Sequence, residues 1–450
     1  MRHHQGNRLI QNLLLLTGIL IVIAGYLLHP EDVFYASLRG VGIWWDVVFP
    51  ATLPFLIVAE LAMGLGLPHF LGVFLQPWMQ PLFRLPGMGS FVLTMGFASG
   101  YPMAAKLTVR MKQRGYLTPS EAERLVAFTT TADPLFITAA VAVGFFHNAG
   151  VGTVLAIIHY TSALILGIIL AVVYRDPSSP GDHNRRDHSS RRDHSIREKK
   201  LSSLASSPGS IIHRAYRALE EARTEDRRPF GRLMADAVNS ALTTTLMIGG
   251  LIIFFSVLMR IFELTPLIQG CTFLLEKIFY ALHLPPELST PLIQGLFEVT
   301  LGERSVADAG GAHLTPLHYA LASAILAWGG LSVHAQVATI LSEAAIRYGP
   351  FFIARIMHSV LAPSLLFILW PFLNRLTSSP SSQPLTPHTV HPVWALSTFG
   401  EPFSLWRWVG MHGKMVLVGL ALLVMFAAIN VLIASFVHTF RLLIHQKNLR

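Results

Sequence analysis

A few polar side chains stand where the surrounding sequence is almost wholly apolar, and their types limit the chemistry available. Glu298 lies inside the short apolar stretch 287–303. A carboxylate at membrane depth costs several kcal/mol unless it is protonated, paired or bound to a cation, so it is a candidate for substrate binding or ion coupling. The alternative is a cap on the Thr300 or Gly302 backbone at a hairpin tip. Asp133, ahead of Pro134, poses the same choice between a helix-break cap and a functional acid. Ser99, Thr130 and Ser332 offer hydroxyl donors either to a ligand or to unwound backbone. Gly100 with Tyr101, and Gly329 with Gly330, mark places where a helix breaks and frees amides, and such half-helix ends favour an anionic or carbonyl-bearing ligand. His334 lies within one break, whereas His159 and His358 occupy matching spans as buried, hydrogen-bonded histidines or as a proton relay. No HExxH spacing and no phosphate-cradling P-loop occurs, so metal-enzyme and ATPase readings lack support and the chain is not expected to be an enzyme.

These residues recur at a fixed interval. An offset of 199 pairs Leu85-Pro86 with Leu284-Pro285, Met95-Gly96 with Gln294-Gly295 and His159 with His358, and an offset of 197 pairs Leu117-Thr118-Pro119 with Leu314-Thr315-Pro316. Each half holds a short interrupted stretch (88–108 and 287–303) and then a broken span, at Thr129–Pro134 in one half and Trp328–His334 in the other. Two halves with matching interruptions point to a transporter site at the repeat interface.

Composition supplies the setting. With 52% apolar residues, 13% charged residues and a mean hydropathy of +0.51, the chain must satisfy its backbone inside lipid, as an all-α polytopic bundle. Apolar spans run near 9–27, 44–66, 121–146, 151–173, 237–261, 316–345, 350–373 and 414–438. The first is expected to stay uncleaved. The interrupted stretches read as re-entrant hairpins, because irregular backbone at that depth needs burial in protein or a watery cavity. Cys271 is the sole cysteine, which excludes an intramolecular disulfide.

Of 34 Lys and Arg residues, 14 fall between Arg175 and Arg232. With the N-terminus inside, the 106–124 segment, the 175–232 loop and the 441–450 tail are cytoplasmic, and the loops 28–43, 147–150 and 376–413 are outside. The first repeat then starts outward and the second inward, so the repeats are inverted. The domain reading is an N-terminal membrane helix (1–43), a first repeat (44–174), a basic disordered cytoplasmic linker (175–235), a second repeat (236–374), and a loop with a C-terminal helix (375–450). The linker repeats Arg-Arg-Asp-His-Ser at 185–189 and 191–195 and reads as a solvated tether rather than a nucleic-acid binder. Within it, Ile211, Ile212, Ala215, Tyr216 and Leu219 share a helical face beside Arg214 and Arg217, which suits a helix on the anionic inner leaflet.

The residues Phe49-Pro50, Leu85-Pro86-Gly87, Ala98 to Met103, Leu117-Thr118, Glu123 to Leu125, Asp133 to Phe136 and Val143 to Asn148 resemble the YlbJ (SpoVV) family of sporulation integral membrane proteins, over about residues 40–375. That resemblance implies two nucleoside-recognition Gate domains, an architecture like the concentrative nucleoside transporters, and movement of dipicolinic acid across the outer forespore membrane. Trp328 to Ser332 resembles the nucleoside transporters' Gly-Phe-Ala-Asn element, but their Gln-Thr-Glu and Asn-Glu-Phe-Val signatures are absent. Expected substrate contacts are Ser99, Gly100, Tyr101, Thr130, Asp133, Glu298, Thr300, Gly329, Gly330, Ser332 and His334. Expected partners are a small anionic metabolite and membrane lipid, with no nucleic acid, no cofactor beyond a coupling H+ or Na+, and a homo-oligomer compatible. A nucleoside carrier and a non-transporting scaffold for spore-envelope assembly are the alternatives.

The charge distribution fixes a testable orientation. A cysteine at Ser189, in a background with Cys271→Ser, should resist a membrane-impermeant maleimide in intact cells and react once the membrane is opened; labelling in intact cells overturns the topology.

Overall fold

A computed structural model describes residues 16, 18–174, 210–225, 228–311 and 314–377. The described residues are helical, without strands. Five helices are long and apolar enough to cross a membrane. The expected spans at 9–15 and 414–438, and the Arg-Arg-Asp-His-Ser repeats, lie outside the described residues.

After α1 (Gly18–Leu28) come two series of seven helices. The first is α2 (Pro30–Gly64), α3 (Leu67–Phe83), α4 (Gly89–Ser99), α5 (Tyr101–Gln113), α6 (Pro119–Thr129), the π-helical α7 (Phe136–Phe145) and α8 (Ala149–Val173). A separate helix follows, α9 (Ile211–Glu225). The second series is α10 (Phe230–Glu263), α11 (Pro266–Ala281), α12 (Ser289–Phe297), α13 (Val299–Gly310), α14 (Pro316–Trp328), α15 (Gly330–Ser342) and α16 (Tyr348–Thr377). Each element of the first series thus has a counterpart eight places on.

The counterparts at both ends of the series pack against one another, and antiparallel. Along α2 and α10, Asp32 meets Arg260, Gly40 lies on Ser256, the Trp44 ring covers Gly249, Ser240 donates to Glu60 at 2.6 Å, and Gly64 receives Leu233. Along α8 and α16, Gly150 approaches the Leu376 carbonyl, the His159 and His358 rings stand 5.1 Å apart, and Tyr174 meets Arg347. Symmetry-equivalent histidines that touch must lie on the axis relating them. A two-fold that makes equivalent helices antiparallel runs across them, so the repeats are inverted.

The α4–α5 and α12–α13 pairs are the two hairpins. Eleven residues of α4 and nine of α12, at about 1.5 Å per residue, rise roughly 16 and 14 Å, about half of a bilayer core. The arms of the second hairpin cross where a Cβ on Gly302 would lie 2.3 Å from the Gly295 Cα, an approach only glycine permits. The broken spans are α6–α7 and α14–α15. Both begin with proline at the first helical turn behind a capping threonine: Thr118 bonds reciprocally with Glu121, and Thr315 with His318.

Three sequence expectations need correction. The segment 28–43, read as an outer loop, is helical and runs into the first repeat, so the boundary at 43 falls inside α2; Pro30 with Glu31 and Asp32 is a helix start rather than a loop. The stretches 67–83 and 266–281 are helices that no span anticipated. Within the linker, the helical face expected at 211–219 is helix α9, 211–225, packed on α3 rather than lying on the leaflet alone, and α10 already begins at Phe230, because an amphipathic stretch finds an apolar surface to bury against.

The close contact of α8 with α16 can be tested by side-chain size. Gly150→Ala places its Cβ against the Leu376 carbonyl and should lower the unfolding temperature, by an overpacking cost of about 1–3 kcal/mol. Gly250→Ala, with open space at its Cβ, should be neutral or slightly stabilising in the same calorimetric measurement.

Candidate functional site

Each interrupted helix strands carbonyls that lipid cannot satisfy, so the first question is where those bonds go. The last four carbonyls of α14 are all taken. Ile325 accepts from the Gly329 N–H at 2.8 Å, Leu326 from the Tyr101 hydroxyl at 2.8 Å, Ala327 from Arg355 Nη1 at 3.3 Å, and Trp328 from His334 Nε2 at 3.2 Å. At the end of α6, Val126 accepts from the Thr130 N–H and hydroxyl, and Arg355 takes the carbonyls of Ala127 and of Thr130, the latter at 2.7 Å. In the unwound stretch beyond, Ala132 donates its N–H to His159 Nε2 at 3.1 Å and accepts from the Tyr160 hydroxyl at 3.0 Å.

One fully buried guanidinium on α16 therefore ties together the broken ends of both repeats. Its positive charge faces the negative, C-terminal ends of two half-helices, the favourable sense of the helix dipole. A neutral side chain would leave three carbonyls exposed to a water-poor interior, at about 1–3 kcal/mol each.

The N-terminal half-helices show a complementary pattern. Asp133 caps α7, its Oδ1 accepting from the N–H groups of Leu135 (3.1 Å) and Phe136 (2.8 Å). Glu298 caps α13, its Oε2 accepting from the Leu301 N–H at 2.8 Å while Oε1 accepts from the Thr300 hydroxyl at 3.2 Å. The other two termini, of α5 and α15, begin behind Gly100 (φ 82°) and Gly329 (φ 84°) and carry no side-chain cap. Within each repeat the acid-capped and glycine-capped termini abut: a Cβ on Gly100 would sit 3.4 Å from Asp133 Oδ2, and one on Gly330 would sit 3.0 Å from the Glu298 Cα. Across the repeats, Tyr101 at the start of α5 lies on Gly329 at the start of α15. The two uncapped termini are thus neighbours.

The structure accordingly separates the expected contacts. Gly100, Tyr101, Gly329 and Gly330 meet at the crossing, with Asp133 and Glu298 just behind them. Thr130 spends its hydroxyl on Val126, and Thr300 spends its own on Glu298. Ser332 is buried on α15. His334 is held between Trp328, with ring centroids 3.9 Å apart, and the Tyr348 hydroxyl, at 2.6 Å from Nδ1, so it braces the break. His159 and His358 form buried structural bonds, His358 Nε2 lying 2.8 Å from the Ser162 hydroxyl.

Among the described residues, the Ser99 hydroxyl and both carboxylate oxygens of Glu303 have no hydrogen-bond partner at this centre, and Arg355 Nε, His159 Nδ1 and His358 Nδ1 are single unpartnered atoms of groups bonded elsewhere. Glu303 is fully buried on α13, within electrostatic reach of Glu298 and Tyr101. An unpartnered buried carboxylate needs a proton or a cation. Sequence reasoning missed both Glu303 and Arg355; for Arg355 a lone charge in an apolar span was a sufficient signal, whereas Glu303 stands beside Arg304 and carries no such mark.

On the side where α6 and α16 begin, Glu123, only 1% exposed, receives Arg347 through Nε and Nη2, both at 2.7 Å, and the Tyr174 hydroxyl at 2.7 Å. Lys112 reaches the Ala344 carbonyl nearby. These contacts join the first repeat to the second.

No family model matches the chain. A curated relative does: the sporulation integral membrane protein YlbJ of Bacillus subtilis (strain 168) is 41% identical over 361 residues, 80% of this chain and 83% of that protein. The chain belongs to the YlbJ family. It is therefore a multi-pass membrane protein of sporulation, and the aligned length is sufficient to include most of both repeats.

In this YlbJ-family protein, Arg355 should be the least replaceable side chain. Arg355→Gln should cost about 3–5 kcal/mol, the usual penalty for breaking a buried charged network. Arg355→Lys, which keeps the charge but loses the fork, should recover only part of that cost in thermal unfolding of the detergent-solubilised protein. A wild-type unfolding temperature for Arg355→Gln would show that the three carbonyls find other donors.

Proposed function

We propose that this protein is a secondary transporter of a small dianion, dipicolinate, carried across the outer forespore membrane by alternating access. The observation that carries the reading is the pair of uncapped half-helix N-termini, α5 and α15, brought together across the repeat interface behind Gly100 and Gly329. Free amides and the positive ends of two dipoles favour a carboxylate at each terminus, and the unpartnered Ser99 hydroxyl adds a donor beside the first. A planar diacid with its two carboxylates on opposite sides of one ring nitrogen suits two such neighbouring termini. The sporulation role of the relative supports a sporulation-specific cargo, and the identity of that cargo follows from the family resemblance.

Alternating access needs two matched ends that open in turn, which inverted repeats supply. The Glu123–Arg347–Tyr174 cluster ties the two repeats together at one end and is the contact that opening of that end would have to break. Glu303 is the group suited to coupling: it is buried, unpartnered among the described residues, and near Glu298. Taking up a proton or cation there changes the charge beside the anion site, linking the ion's passage to the substrate's. Glu298, spent on capping α13, holds the hairpin tip in place.

The test is uptake of labelled dipicolinate into proteoliposomes, with a labelled nucleoside as competitor substrate. Accumulation of dipicolinate is expected, whereas nucleoside uptake would replace the cargo and no uptake of either would favour a scaffold. Glu303→Gln should still bind and exchange dipicolinate but lose accumulation against a gradient. Wild-type accumulation by this variant would remove Glu303 from coupling. Ser99→Ala should weaken binding by about fivefold, the effect of one lost hydrogen bond of ~1 kcal/mol.

A further inference from the structure

A second site lies away from the repeat interface. Helix α9 of the linker docks on α3: its fully buried Ala215 faces inward, the Leu219 carbonyl would lie 2.9 Å from a Cβ on Gly66, and the Tyr216 ring meets Phe70 edge-on at 5.6 Å. Between α9, α3 and the first hairpin this leaves a cavity of about 560 Å³, within the usual range for a small-molecule site. Four guanidiniums line it, Arg110 and Arg114 from the end of α5 and Arg214 and Arg217 from α9, against a single acid, Glu221. Among the described residues none of these four arginines forms an ion pair. Unneutralised arginines converging from two elements form a receptor for phosphate oxygens.

The surroundings identify the source of that phosphate. Ile211, Ile212 and Tyr216 of α9 are 37%, 57% and 62% exposed, and Leu67 and Leu71 of the neighbouring α3 are each 42% exposed. In a membrane protein such a rim faces acyl chains, and a soluble phosphate would leave it unused. We propose that this cavity binds the headgroup of an anionic phospholipid of the inner leaflet, clamping the linker helix to the first hairpin. Arg214 and Arg217 reach the phosphate from the linker, Arg110 and Arg114 from the hairpin, and the lipid's tails cover the α9–α3 rim. The inference is independent of what the protein transports. It gives the linker a lipid-dependent grip on the arm that carries Tyr101.

Native mass spectrometry of the full-length protein, equilibrated with equal amounts of phosphatidylglycerol and phosphatidylcholine, tests this directly. Phosphatidylglycerol adducts should dominate in the wild type. The preference should fall by about tenfold or more in Arg214→Gln/Arg217→Gln, at roughly 1 kcal/mol per basic residue. Arg110→Gln/Arg114→Gln, on a different element, should lose it as well, while Arg375→Gln at the far end of α16 keeps it. Equal adducts of the two lipids in the wild type, or an unchanged preference in both double variants, overturns the proposal. Displacement of phosphatidylglycerol by inorganic phosphate alone also overturns it, in favour of a soluble anion.

Discussion

Breaking a helix at membrane depth is costly because the freed carbonyls have no water to turn to, and in this protein one side chain answers most of that cost. Arg355 accepts the burden for both repeats at once, bonding Ala127 and Thr130 of the first broken span and Ala327 of the second. Tyr101, His159, Tyr160 and His334 complete the account. Because all of these partners except His334 come from helices other than the broken ones, the unwound segments persist only while the bundle is assembled. The site is thus a product of tertiary packing, and its amides stay available where no side chain reaches them.

The two repeats share a backbone plan but divide the chemistry unequally. At the offset of 199, Arg355 corresponds to Ala156, Glu303 to Ala104 and Glu298 to Ser99. At these three positions the second repeat holds a charge and the first a small residue or a hydroxyl. Under the proposed transport function, the symmetric scaffold supplies two equivalent ends that exchange roles, and the asymmetric set of charges separates the coupling ion from the anion. The same economy appears at the N-termini, where each repeat puts an acid on one half-helix and a bare glycine on the other.

The linker shows how local pattern and context interact. The Arg-rich composition of 175–235 resembles solvated tether, yet 211–225 folds because its apolar stripe finds α3. Its arginines then cease to be generic positive-inside charge. They become half of a cavity whose other half is the end of the first hairpin.

The sequence by itself determined the class, the two-fold repetition and the positions of the breaks, since these depend on local chemistry: apolar runs, prolines behind capping threonines at 118 and 315, and glycines at 100, 329 and 330. It also marked Glu298 and Asp133 as acids at breaks without deciding whether they cap or bind. Only the tertiary structure decided that both cap, that Thr130, Thr300 and His334 are committed to their neighbours, and that Ser99 and Glu303 are left without partners. It likewise decided that 28–43 is helix. The physical reason is that a hydrogen-bond partner is a fact of three-dimensional proximity: Arg355 is about 225 residues from the Thr130 carbonyl it satisfies, and no reading of either segment alone could pair them.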